Sequence, residues 1–592
     1  MVAARSDPGG PGWSRRGGPA AVAGTAADLD GARRALLSPP PGARRLDPAS
    51  LREVLVELYD FWLVRRAAAI GIADGAALVA TGALGRRELV PWSRPRLLLV
   101  RDGTRSGPDA GEAGRVAASL WAPLRDTAAG ADTAVATVGE AVASSLRDLD
   151  AALGLLDARL IAGDPATAER LAATAHQAWR AGIGDRFDHV VGATCARWAR
   201  AGEAAVQIAP DLREGRGGLR DLRLLDALVT ARWVDRPAVD VEPARALLLD
   251  LRTELHRRSG RPRDVLDADD AQALADVPEL RFADRVALAR SLSAASRTVA
   301  HALDVALRPA VPTARRWAAR RPRAAGIVED GGAVALARGA RIGRDPGLVL
   351  RLAAAAATTG RPLAVASVRR LAEAAPELRA PWPESARAEL LALLGAGGTM
   401  VEVIDTLDRG GLWGRLFPEW SAVRDLPPGD HRHAWTVDRH LLEVTRHAAE
   451  LTARVPRPDL LLIGALVHDL GRGGGGDHTA RSAVLARRIG LRVGLPDADA
   501  ETLARMVRHH RLLPLTALRH DPEDPATARS VVRTLGADPE LVELVAALAE
   551  ADARGTGPRA WSPWRAALVD DLVGRCRALL GGGPGTVEPG VR

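Results

Sequence analysis

The sequence predicts a multidomain α+β protein that is mostly α-helical. Three observations predict it. Apolar residues recur at helical spacing over most of the chain, short apolar runs of strand length occur at only a few places, and Gly/Pro clusters divide the rest. At 592 residues there is room for roughly three to five domains.

Taken in order, residues 1–45 are rich in Gly, Pro, Ser and Arg and read as a flexible leader. Leu51 to Ile70 has apolar residues at helical spacing and reads as an amphipathic helix. Ala76–Ala80 and Arg96–Val100 are strand candidates, with the turn-rich GALGRREL between them. From Glu112 to Ala310 the pattern is mostly helical, broken at Gly163–Pro165 and Glu214–Gly218. Residues 327–350 suggest a small hairpin, and helical character returns from Ser367. Pro427, Pro428 and Gly429 mark a boundary. Trp435 to Leu580 reads as helical, with loops at Gly471–Gly476 and Pro522–Pro525, before a Gly/Pro tail at 581–592. No repeat of solenoid period is present.

Composition excludes several classes. Two cysteines, Cys195 and Cys576, cannot supply a disulfide framework or a cysteine-based zinc or iron–sulfur site. Aromatics make up 3% of the chain, too few for a single-strand stacking platform. The net charge of +8 is mild for this length, and no basic block resembles a nucleic-acid recognition element. No run approaches the length of a membrane span and no signal-peptide pattern opens the chain, so neither nucleic acid nor membrane is expected as a partner and the expected location is cytoplasmic.

The distribution of histidine is the stronger signal. Of thirteen, nine lie between His431 and His520: His431, His433, His440, His447, His468, His478, His509, His510 and His520. An apolar helix from Leu460 ends on the adjacent pair His468–Asp469, followed by the glycine loop and His478. MVRHH carries His509 and His510, and a later helix carries Asp552. Imidazole nitrogens and carboxylates on several helices can build a mono- or dinuclear metal site in a bundle core. An ionisable pair directly after LLLIGALV would be costly to bury without a cation. His447 and His520 read as structural.

These motifs carry a family resemblance. RHAWTVDRH (Arg432–His440), HDLGRGGGGDH (His468–His478), MVRHH and ADARGTGPRAWSPW resemble the HD superfamily of metal-dependent phosphohydrolases. More closely, they resemble the HD domain of the bifunctional uridylyltransferase/uridylyl-removing enzymes that modify the PII nitrogen-signalling protein. LLDARLIAGD (Leu155–Asp164), APDLREGRGGLRDLR (Ala209–Arg223), Leu255, His256, Arg261 and Asp264, and FPEW (Phe417–Trp420) extend the likeness over roughly Leu51 to Cys576. The resemblance implies metal ligands at His440, His468, Asp469 and Asp552. It implies catalytic or phosphate-facing roles for His468, Asp469, Arg472, His478, His509 and His510. Arg472 stands where the family usually has lysine, which keeps charge but not geometry. Arg216 and Arg220 read either as phosphate contacts or as surface arginines around a structural turn.

The resemblance also implies a division of the chain. Residues 46–150 would be a nucleotidyltransferase-like α/β domain, 151–325 a helical domain, 326–428 a linker or small helical region, and 429–580 the all-α HD domain. In the transferase-like part the family carries a glycine-rich turn, Ser-Asp and a second Asp two residues on. Such carboxylates share one face of a strand and hold divalent ions. Here GALGRREL, Pro91 and Ser93 remain, but the acidic positions are Arg94 and Arg96. The family's Trp-Asp reads Trp121-Ala122, and its His-Ser-Val-Arg-Thr reads Thr133–Thr137. Neither Asp102 nor Asp126 replaces the missing pair.

The expectation is therefore a hydrolase that uses a divalent metal, Mg²⁺ or Mn²⁺, to remove a UMP or AMP group from a tyrosine of PII. Nucleotidyl transfer is expected to be lost, and the residues after Cys576 are too few for the family's glutamine-sensing ACT domains. Three rivals fit the same residues: the full bifunctional enzyme, a non-catalytic PII-binding regulator, and an HD hydrolase of free nucleotides.

Overall fold

Strands β1 (Ala76–Thr81) and β2 (Arg96–Arg101) are nearly continuous apolar runs because both of their faces are covered. The computed structural model of the protein describes residues 25–581, apart from 40–41, 43–44, 104–108, 238, 308–320, 429–432, 475 and 558–559. Residues 1–24 of the expected leader, His431, Arg432, Gly429 and the tail 582–592 lie outside the described residues. The chain divides into two compact units. The first comprises residues 1–205 and 209–308, the second 206–208 and 309–592.

In the first unit, β1 and β2 pair antiparallel with Leu78 opposite Leu99. They form the centre of a four-stranded sheet of order β3-β2-β1-β4. Side chains alternate across it with period two. Leu78, Ala80, Leu97 and Leu99 join a core with the Pro48–Ile70 and Ala110–Arg125 helices. Ala77, Val79, Leu98 and Val100 join a separate core with the Val138–Ser145 and Pro165–Ala201 helices. A further core gathers the Leu219–Thr230, Glu242–Ser259 and Arg285–Leu307 helices.

The edge strands differ from expectation. β3 (Asp132–Thr137) and β4 (Arg159–Gly163) lie in the stretch read as helical. Both are sheet edges with no fully buried residue, and DTAVAT and RLIAG therefore lack the dense apolar run that marks β1 and β2. A second difference is the Ala26–Leu37 helix inside the segment read as leader. Thr25 and Asp28 close a capping box at its start, and Leu29 packs into the core.

In the second unit, β5 (Arg321–Ala324), β6 (Ile327–Asp330) and β7 (Ala333–Leu336) form a three-stranded antiparallel sheet, one strand more than the expected hairpin. Helix resumes at Leu348, earlier than Ser367, as the alanine-rich Leu348–Thr359 segment. A single core then runs from Ile327 through the helices of residues 437–576. Among the described residues no single helix is long and apolar enough to cross a membrane.

Two glycines fix the helices that matter below. A Cβ on Gly471 would lie 2.4 Å from the His478 carbonyl oxygen and 2.7 Å from the Ser482 nitrogen, so only glycine lets the two segments meet. Gly555, on the Pro539–Thr556 helix, lies where a Cβ would be 2.9 Å from the Val444 nitrogen, which sets the close approach of that helix to Val437–Leu451. Gly471→Ala is expected to cost about 1–3 kcal/mol through overpacking. Gly114→Ala, in an open position of the Ala110–Arg125 helix, is expected to gain roughly 0.5–1 kcal/mol. Urea melts of the two variants check the contrast; equal midpoints would show that the Gly471 contact yields without cost.

Candidate metal centre

The Pro458–Val467 helix starts on a proline, whose fixed φ suits the first helical position. Every residue from Leu460 to Val467 is buried, so this is a core helix with no polar face. It delivers His468 and Asp469 at its C-terminal end, where they are 0% and 1% exposed. A 3-10 turn, Leu470–Gly473, follows. Gly471 ties this turn to the next helix: its N–H donates to Ser482 Oγ at 2.9 Å, and its carbonyl accepts from Arg481 Nε at 3.1 Å. Asp477 caps the His478–Arg492 helix by accepting from the Ala480 N–H. His478 is thereby held on the first turn.

Three other segments converge on the same point. His440 comes from Val437–Leu451, His510 from the end of Asp497–His509, and Asp552 from Pro539–Thr556. His440 Nε2 lies 3.1 Å from Asp552 Oδ1 and 3.9 Å from Asp469 Oδ2. His468 Nε2 lies 3.6 Å from Asp552 Oδ1 and 3.9 Å from Asp469 Oδ2. His478 and His510 approach Asp469 Oδ1 through Nε2 at 3.7 and 4.0 Å. The Arg472 Nε–H donates to Asp469 Oδ2.

Backbone carbonyls set the imidazole orientations. His468 Nδ1 is 2.9 Å from the Ala465 oxygen, and His510 Nδ1 is 2.7 Å from the Val507 oxygen. With Nδ1–H donating, Nε2 of each ring carries its lone pair toward the cluster. His440 Nε2, His468 Nε2, His478 Nε2 and Asp469 Oδ1 are buried without an aligned hydrogen-bond partner. Three overlapping donor triads result: His440/His468/Asp552, His468/Asp469/His510, and His433/His440/Asp469. Within each, the donor atoms fall within 4.8 Å of one another. Buried lone pairs and carboxylate oxygens aimed at one point fit a divalent cation.

The electrostatics agree. Burial alone would raise Asp469, but His468, Arg472, His510 and His440 outweigh it and hold the carboxyl well below its usual range. Asp552 is opposed by burial in the same way and is held low by His440 and His468. His468 is also opposed by burial, yet Asp469 and Asp552 raise it. Burial, followed by the charge of His468, pushes His510 down to about 4. His478 is lowered by burial, with Arg472 and Arg511 adding to it against Asp469. Two ionised carboxylates thus meet His510 and His478, held toward the neutral form, and His468, drawn toward the charged one, whose positive charge a bound cation would replace.

The structure brings together His440, His468, Asp469, Arg472, His478, His510 and Asp552. It does not bring His509, which is half-buried and lowered by burial and by Arg508 and Arg505. Sequence reasoning passed over His433, whose ring packs edge-on against His440 at 5.1 Å. It also passed over Arg511 and Arg565, which line the adjoining cavity. That cavity, about 470 Å³, is lined by the polar His433, Arg472, His510, Arg511 and Asp552 and by the apolar Leu515, Leu518, Trp561, Leu568 and Val569. The position of His433 inside RHAWTVDRH was the available signal; the two arginines carried none in a chain so rich in this residue.

The remaining predicted residues lie in the first unit. Arg96 opens β2, and Arg94 precedes it. Arg94 Nε is 2.9 Å and Arg96 Nε 3.9 Å from the carboxylate of Asp132, which faces Arg96 across the parallel β2–β3 ladder. Arg216 is engaged by Asp304 at 2.7 Å and by Glu203, and stacks over Trp198. Arg220 bonds Asp150 and Glu214.

Comparison with known proteins agrees with both regions. The HD domain family model matches residues 437–554, and a model described as GlnD PII-uridylyltransferase matches residues 187–306. A bifunctional uridylyltransferase/uridylyl-removing enzyme of Mycobacterium tuberculosis is 48% identical over 575 residues, covering 94% of this chain and 70% of that protein. The enzyme so named from Streptomyces coelicolor is 42% identical over 563 residues, covering 92% and 66%. That of Corynebacterium glutamicum is 37% identical over 499 residues, covering 82% and 70%. On this identity and coverage, the chain belongs to the bifunctional uridylyltransferase/uridylyl-removing enzyme family.

Proposed function

We propose that the protein removes a nucleotidyl group, UMP by the naming of its relatives, from a tyrosine of a PII-type protein in the cytoplasm, and that it no longer attaches one. The observation that carries the first half is the convergence of His440, His468, Asp469 and Asp552 beside a cavity bordered by Arg472 and Arg511. In this reading residues 429–580 are the hydrolase, 46–150 the transferase-like domain, 151–325 the helical domain, and 326–428 a region joining them to the hydrolase.

His440, His468, Asp469 and Asp552 would hold Mg²⁺ or Mn²⁺. A bound divalent ion lowers the pKa of a water ligand and draws charge from a phosphoryl oxygen. The remaining work falls to the protein's own side chains. Arg472 spends one N–H on Asp469, and its other donors are free to meet the phosphodiester. Arg511 adds a second positive charge at the same cavity. His510, kept neutral by burial and with Nε2 facing inward, can take the proton of an attacking water or ligate a second ion. His478 is suited to the same task. Attack at phosphorus then breaks the bond to the tyrosine oxygen, releasing UMP and restoring the phenol. The apolar wall with Trp561 suits a nucleobase or the tyrosine ring.

Loss of the transferase rests on Arg94 and Arg96. Among the described residues the carboxylate that reaches them, Asp132, is shared between the two guanidinium groups. A cation placed there would meet two positive charges and one negative.

Two outcomes are expected. At Mn²⁺ 100-fold above its Kd the hydrolase should gain about 2.7 kcal/mol of stability, reversed by EDTA and absent in His440→Ala and Asp552→Asn. Thermal melts with metal analysis measure this, and a metal-free wild type at micromolar Mn²⁺ would favour a non-catalytic regulator instead. With uridylylated PII, UMP release should fall in His468→Ala by more than the roughly 10–100-fold typical of changes outside a ligand shell. Adenylylated PII and free UTP serve as the comparison substrates. In the reverse assay, PII with labelled UTP and Mg²⁺ should show no incorporation; label on PII would overturn the second half of the proposal.

A further inference from the structure

The arginines in the first unit do more than remove a metal site. Arg96 lies on the face of β2 shared by Leu98 and Val100, and its Cδ is 3.5 Å from the point where a Gly82 Cβ would sit. The corresponding point at Gly154 is 3.9 Å from Arg96 Nη1 and 3.6 Å from Arg223 Nη2. The two guanidinium groups, one from a strand and one from the Leu219–Thr230 helix, therefore converge beside Gly154.

These cations share carboxylates, and Arg223 is weakly paired. Asp132 is shared by Arg94 and Arg96, and Asp157 by Arg86 and Arg223. Glu88 also holds Arg86, and Asp150 with Glu214 holds Arg220. Arg223 meets Asp157 only at 3.4 Å, and its Nε and Nη2 are buried without a hydrogen-bond partner. An unfilled buried N–H costs free energy, more so when charged. Burial, then the charges of Arg86, Arg96 and Arg220 against that of Asp157, pulls Arg223 down to about 9. Arg220 is lowered by burial and next by Arg96. Arg223 and Arg220 are thus disfavoured by their neighbours, and an oxyanion accepting from Arg96 and Arg223 together would fill the empty donors of Arg223 and offset the repulsion.

We infer that Arg96 and Arg223, backed by Arg86 and Arg220, form a metal-independent site for a pyrophosphate-type anion, either free pyrophosphate or the phosphate tail of a nucleotide. The inference extends the reading of a silent transferase domain: the site keeps a phosphate ligand while its cation requirement is gone. It involves no bond making or breaking.

The test is calorimetric titration of the full-length protein in EDTA with pyrophosphate, UTP, ATP and uridine. Saturable binding of pyrophosphate or a nucleotide, weakened by added salt, is expected, with none for uridine. Equal binding of pyrophosphate and UTP identifies the phosphate chain as the whole ligand; tighter UTP binding identifies a nucleotide. Arg96→Ala should weaken binding at least 10-fold and Arg96→Glu should abolish it. Arg223→Lys, with its fold checked by melting, should weaken binding while keeping charge. Absence of binding in EDTA, a requirement for Mg²⁺, or binding unmoved by Arg96→Glu would overturn the inference. Labelling of PII in the transfer assay would instead strike the reading of a silent transferase, so the two failures are distinguishable.

Discussion

The ionised carboxylate of Asp469, buried just beyond the apolar Leu460–Val467 stretch, is the constraint on which the second unit is organised. A charge in that position is tolerable only if other groups surround it. Arg472 on the following turn and His468 beside it do so, and three other segments bring His440, His478 and His510, while a fourth brings Asp552, the second carboxylate that His440 and His468 share. The packing features follow from this requirement. Gly555 lets the Asp552 helix lie against Val444, and Gly471 lets the turn after Asp469 close onto Ser482. The same surroundings that make the charge bearable make a cation fit.

The first unit shows the opposite arrangement on a sound scaffold. Its sheet retains two buried central strands, covered on both faces by helices. The geometry that would aim two carboxylates outward from β2 is intact, and it aims guanidinium groups instead. The strand still positions side chains, and at this end of the sheet it presents cations that pair with Asp132. A single backbone can keep its stability while two side chains reverse the sign of its site.

The sequence made the central elements legible for physical reasons. β1 and β2 show because burial on both faces demands an unbroken apolar run. β3 and β4 do not, since an edge strand with exposed Asp132 and Thr133 has no reason to be apolar. The Pro458–Val467 helix and the His468–Asp469 pair were readable together, because an ionisable pair against eight buried residues has few explanations. Adjacency misled at MVRHH: successive helical residues point about 100° apart, so only His510 turns inward while His509 stays with Arg505 and Arg508. His433 and the cavity arginines depend on tertiary contacts that no local pattern records. The sharing of Asp132 by Arg94 and Arg96 depends on strand register, which is equally invisible in the linear chain.

The Nδ1 contacts of His468 and His510 reach their own backbones, three residues back, rather than other side chains. The direction of each ligand atom is thus written into the last turn of a helix. Carboxylate partners, which commonly raise the basicity of metal-binding imidazoles, are not what orients these two rings. Changes at neighbouring side chains consequently leave the direction of these ring nitrogens in place, while the charges of Asp469, Asp552 and His468 still shift their basicity. Orientation and basicity are therefore governed separately: the backbone aims the two rings, and the charged groups around them set how readily they hold a proton.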